Sequence, residues 1–124
     1  MPSLRTTIED APNVMSLWIE FNQELEAAYD ARPPDEERIR AIYRYALWAL
    51  QESGNDDVVT AVVVAFFEHL PTRAAVRDDV YRWFSPEVFC SLEAPFRYFL
   101  SEEEFVAFRS EYQRRRAAWA GGRR

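Results

Sequence analysis

The stretch Val58-Val59-Thr60-Ala61-Val62-Val63-Val64-Ala65-Phe66-Phe67 carries a single polar side chain, Thr60. No other part of the chain is so uniformly apolar, and its reading decides the fold. It lies between Asn55-Asp56-Asp57 and Glu68-His69-Leu70-Pro71. Its valines and threonine have strand propensity, and a short apolar run does not separate a buried strand from a buried helix by periodicity alone. Two features select helix. Asn55 is a good N-cap followed by two acids, where negative charge complements the helix dipole. The chain offers no second strand-like segment, and a lone strand leaves its backbone N–H and C=O groups unpaired. A helix over about 56–70, apolar on every side, belongs at the centre of the fold with its neighbours wrapped round it.

The flanking segments also have helical spacing. Val14, Leu17, Trp18, Phe21, Leu25 and Ala28 follow the i, i+3, i+4, i+7 pattern and predict a helix over about 12–30, with Pro12 in its first turn and Pro33-Pro34 beyond its end. A second helix, about 35–52, opens on Asp35-Glu36-Glu37, has the stripe Ile39, Ile42, Tyr43, Ala46 and Leu50, and ends at Ser53-Gly54 with glycine as its cap. After the apolar helix, Thr72 can cap a short helix over about 73–84 with Val76, Val80, Trp83 and Phe84 on one face. Ser85-Pro86-Glu87 then starts a helix over about 86–100, which Pro95 should kink or split near Glu93. Ser101-Glu102-Glu103-Glu104 is a capping box that opens a last helix carrying Phe105, Phe108, Tyr112 and Trp119.

The expected fold is therefore all-α: one domain of about six helices over residues 1–124, with an ordered core from about 12 to 118 and frayed termini. The short links favour antiparallel neighbours. A HEAT-like hairpin stack and an irregular bundle around the apolar helix both satisfy the pattern.

The segments Ala41–Leu50 (AIYRYALWAL), Asp57–Pro71 (DVVTAVVVAFFEHLP), Trp83–Phe89 (WFSPEVF) and Phe99–Phe105 (FLSEEEF) resemble those of a family of small bacterial helical domains of unassigned function. The match covers roughly residues 35–112. Proteins that look like this occur among the immunity partners of bacterial toxins. The resemblance implies a non-enzymatic binding role and brings no catalytic residue with it, because its shared positions are mostly apolar.

Composition narrows the classes of function. The 124 residues have a formal charge of −6, and 48% of them are apolar. General nucleic-acid binding rests on phosphate contacts and is not expected of an acidic domain, whereas a basic protein partner is. All fifteen basic residues are arginine, which removes Schiff-base and phosphate-loop lysine chemistry. Cys90 is the only cysteine, so no intrachain disulfide forms. The N-terminus lacks the apolar run of a signal peptide, and Val58–Phe67 is too short to span a bilayer. The expectation is a cytoplasmic protein that requires no cofactor and does not associate with membranes.

The reactive residues are few. His69 is the sole histidine, which excludes multi-histidine metal sites. Continuous helical phase would place it with Val58, Val62 and Ala65, and Glu68 would point about 100° away rather than orient it as a base. No flanking basic residue activates Cys90. The clustered acids stand mostly at helix starts, as dipole compensation requires. Arg114-Arg115-Arg116 reads as cations completing the last helical turn.

Six residues stand out as candidates for partner binding. Glu20 and Glu24 lie one turn apart on the outer side of the first helix. They join Asp56 and Asp57 as an acidic docking surface for a basic toxin domain. Tyr45 and Trp48 project away from the stripe of the second helix and would supply apolar contact. In a six-helix packing, Trp48 is either such an anchor or covered by another helix layer, and the packing favours cover. The alternative function is a helical scaffold or adaptor that associates with itself.

Overall fold

The computed structural model describes residues 14–122. These form seven α-helices and two 3₁₀ turns, with no strand among the described residues. The helices are α1 (Val14–Asp30), α2 (Glu36–Gln51), α3 (Asp56–Ala65), α4 (Ala74–Arg77), α5 (Pro86–Ser91), α6 (Glu93–Arg97) and α7 (Glu102–Gly122). The 3₁₀ turns are Phe67–Thr72 and Val80–Arg82. The all-α reading holds. The expected start near Pro12 and the fraying of Arg123-Arg124 lie outside the described residues. The contacts group into two compact units, one ending at Phe67 and the other beginning at Glu68.

In the first unit α1, α2 and α3 each pack against the other two. Trp18, Phe21, Leu25 and Ala28 of α1 are buried, as their spacing predicts. Ile39, Ile42, Tyr43, Ala46 and Ala49 of α2 are buried with them. Ala49 takes the place expected for Leu50, which is only half-buried. Aromatic edges knit the three helices together. Trp18 meets Phe21 at 5.1 Å and Phe66 at 5.8 Å, and Tyr43 meets Phe66 at 6.4 Å. The Tyr29 and Tyr43 hydroxyls hydrogen-bond at 3.1 Å. Asn22 Nδ2 donates to the Phe66 carbonyl at 3.3 Å, satisfying an acceptor that the end of α3 leaves orphaned.

The valine-rich run is helical, and its start is built as the sequence predicts. Asn55 Oδ1 accepts from the N–H groups of Asp57 (2.9 Å) and Val58 (3.2 Å). Two expectations need correction. The α-helix stops at Ala65 and a 3₁₀ turn replaces its last part, so it does not run to 70. Nor is it wrapped on every side. Ala61, Val62 and Ala65 are buried, Thr60 is exposed, and Val64 is 40% exposed. Contact with two helices covers one face of a helix and leaves the other to solvent. The break after α2 is set by Gly54, whose φ of +66° is the left-handed conformation that favours glycine.

In the second unit the expected 73–84 helix is divided into α4 and a 3₁₀ turn. Val76, Val80 and Phe84 are buried, while Trp83 is only half-buried. Its indole N–H donates to Asp79 Oδ2 at 3.0 Å. Thr72 does not cap α4; its hydroxyl donates back to the His69 carbonyl at 2.6 Å. Ser85 caps α5 by accepting from Val88 N–H at 3.3 Å, with Pro86 in the first helical position. The split expected near Glu93 occurs at Leu92. The capping box is reciprocal: Glu104 N–H donates to Ser101 Oγ at 3.1 Å, and Ser101 N–H donates to Glu104 Oε1 at 2.8 Å. Phe89 stacks on Tyr112 at 4.1 Å and meets Phe96 and Phe108 at 5.2 Å each. α7 runs to Gly122, past the expected limit near 118. The three arginines are therefore inside the helix rather than in its last turn. Arg114 and Arg115 pair with Glu111, while Arg116 Nη1 donates to the carbonyls of Tyr81 (2.9 Å) and Phe84 (3.3 Å).

Candidate functional site

α2 has an inner stripe that fills the core and an outer face of Glu37, Arg40, Ala41, Arg44, Tyr45 and Trp48. Spacings of three and four residues put these side chains in one row along the helix. Trp48 is 52% exposed and Tyr45 37% exposed, so the covered reading of Trp48 is corrected: no described helix lies over it. The Tyr45 ring is held from one side by Phe21 of α1, stacked at 6.5 Å and 21°. Phe21 thus lies on one side of the ring, and part of Tyr45 stays exposed.

Arg40 and Arg44 stand one turn apart beside these rings. Neither forms an ion pair with a described residue, whereas Arg38 reaches Glu24 at 3.4 Å and Asp35 at 3.9 Å. Ala41 leaves a gap between the long side chains. The result is a shallow notch of about 370 Å³ lined by Glu37, Arg40, Ala41, Arg44 and Tyr45. With two guanidiniums and one carboxylate at its edge, the notch is locally cationic on an acidic chain.

The four acids expected to form a docking surface stand on α1 and in the first turn of α3. Glu24 is paired with Arg38 of α2. Partial burial raises the Glu24 pKa above its ordinary value, against the pull of Arg38, and the neighbouring Glu20 adds to the rise. Glu20 is exposed. Asp56 and Asp57 are exposed in the first turn of α3, where they complement its dipole. No hydrogen bond, ion pair or ring contact joins any of these four acids to Tyr45 or Trp48 among the described residues. Sequence reasoning missed Arg40 and Arg44, although the signal was present: two arginines at i, i+4 in the same row as Tyr45 and Trp48.

The reactive residues lie elsewhere. His69 is exposed in the 3₁₀ turn, its ring 4.9 Å from that of Phe99. The phase expected from a continuous helix is lost because α3 ends first. Phe99 is 48% exposed beside Tyr98 at 69%. Cys90 is exposed, at the edge of an open cleft of about 560 Å³ along α5 and α7 floored by Phe89 and Tyr112. No cluster of three His, Cys, Asp or Glu side chains that could hold a metal ion occurs among the described residues. No single described helix is long and apolar enough to cross a membrane.

No protein-family model, curated protein or solved structure matches the chain.

Proposed function

We propose that this protein is a non-enzymatic binding module that meets a protein partner through the outer face of α2. The exposure of Trp48 beside Tyr45, Arg40 and Arg44 on one helix row supports this reading most directly. Trp, Tyr and Arg are the residues that dominate measured interface energetics, because they combine large contact area with directional polar groups. A helical domain that offers such a row can cover the active site of another protein by steric occlusion. The resemblance to domains found among toxin-immunity proteins makes a bacterial toxin the proposed partner. The test is co-purification with the product of the adjacent coding sequence, followed by a toxicity assay. The expected result is a stable complex that the double change Tyr45→Ala, Trp48→Ala disrupts while the helical circular-dichroism signal is retained. A toxin-like neighbour that is neither bound nor neutralised would overturn the immunity role.

One further observation favours a second reading, an adaptor that also associates with itself. Tyr98 and Phe99 form an exposed aromatic pair in the second unit, their ring centroids 4.9 Å apart. A self-associating adaptor gives a dimer or larger species by light scattering, and Tyr98→Ser with Phe99→Ser returns it to monomer. A wild-type monomer at high concentration excludes self-association.

A further inference from the structure

The acidity of the chain as a whole suggests a basic partner, but the chemistry of the α2 row points the other way. Whole-molecule charge governs encounter at distances near the Debye length, about 8–10 Å in physiological salt. Contact is decided by the groups that touch. On α2 these are two guanidiniums without a carboxylate partner among the described residues, a notch between them, and two exposed aromatic rings. Arginine presents a rigid fork of donors that matches a carboxylate and is weakly hydrated enough to be used at interfaces. Glu37 at the notch edge partly offsets the two positive charges and leaves the notch with a net single positive charge.

Building on the α2 reading above, we propose that the Arg40–Arg44 notch seats a carboxylate from an acidic segment of the partner, and that Trp48 takes an apolar side chain of the same segment. Spacing limits the pattern. Arg44 and Trp48 are separated by about 6 Å along the helix axis. Alternate side chains of an extended chain are about 6.6 Å apart on one side. A segment whose Asp or Glu sits at the Arg44 side of the notch therefore has a large apolar residue two positions away, in either chain direction. The free edge of the Tyr45 ring packs between them.

The experiment is a titration of the full ¹⁵N-labelled chain with two capped peptides. One is built from Glu-Ser-Leu-Ser repeats; the other has Lys in place of Glu. The readouts are the indole N–H signal of Trp48, assigned by its loss in Trp48→Phe, and the backbone signals of residues 37–48. The acidic peptide is expected to shift these signals more strongly at low salt than at high salt. The double change Arg40→Glu, Arg44→Glu is expected to weaken it by about tenfold or more, with circular dichroism confirming that the helices are retained. Trp48→Ala weakens binding without altering its salt dependence, which keeps the apolar contact testable should the charge reversal unfold α2. Equal or tighter binding of the lysine peptide to the same face overturns the acidic-partner proposal while leaving α2 as the binding face. If neither peptide moves Trp48 up to millimolar concentration, the acidic-segment proposal falls, while the α2 reading is decided by whether Tyr45→Ala, Trp48→Ala disrupts the co-purified complex.

Discussion

Two carboxylates with the same intrinsic chemistry are driven apart by their surroundings. Glu111 accepts from Arg114 and Arg115, and those hydrogen bonds lower its pKa from 4.5 to about 2. Glu24 is displaced upward, because burial outweighs the attraction of Arg38. The sign of the linkage follows: a carboxyl group whose folded pKa is depressed adds stability above its unfolded value, and that contribution is lost as pH falls through the folded one. The Glu111 contribution is therefore fully present above about 4.5 and disappears toward pH 2. Carboxyl-detected NMR should show Glu111 still ionised at pH 3.5 while Glu24 is already protonated. Glu111→Gln should flatten the acid-unfolding curve in that window and leave its shape at neutral pH unchanged. Tyr112 is a second residue with a definable role. Its hydroxyl donates to the Phe84 carbonyl at 2.7 Å inside the second unit. Tyr112→Phe should cost about 1 kcal/mol in urea unfolding, the net value of one such bond. The cost stays small because Arg116 still reaches the same carbonyl.

Among the elements, the starts of helices were the most legible from sequence and their sides the least. Asn55, Ser85 and Ser101 cap where the sequence places them, because an N-cap is a local bargain between one side chain and the next two or three N–H groups. Ser101→Ala should accordingly destabilise by about 1 kcal/mol. The cover over a face depends instead on which other helices arrive, and local pattern carries no record of that. The valine-rich helix illustrates the limit: Val62 and Val64 are the same residue type two positions apart in one run, yet Val62 is fully buried and Val64 is 40% exposed. Val62→Thr should cost about 2 kcal/mol by burying an unpaired hydroxyl. Val64→Thr should stay within about 0.5 kcal/mol. Equal penalties for the two changes would restore a helix sealed on all sides. The same limit explains Trp48, which the expected number of layers would cover and which is 52% exposed.

For the whole molecule, composition and helical period were enough to establish the all-α class, and the exclusion of strand pairing for residues 58–67 was sufficient to settle the contested segment. The proposed binding face is legible only in part. Tyr45 and Trp48 stood out because they break the core stripe, but net charge directed attention to Glu20, Glu24, Asp56 and Asp57. A sum over the chain does not say which charges neighbour which rings; that requires Arg38 to be seen engaged with Glu24 and Arg40 and Arg44 to be seen unengaged. The account rests on Trp48 being a large aromatic side chain with no role in holding the fold together. The most direct test compares urea unfolding of Trp48→Ala with that of Trp18→Ala. Removing the buried Trp18 should cost about 3–5 kcal/mol, whereas removing Trp48 should change stability by no more than about 0.5 kcal/mol. A Trp48→Ala penalty as large as that of Trp18→Ala would make Trp48 a core residue and leave the outer face of α2 with no anchor to offer a partner.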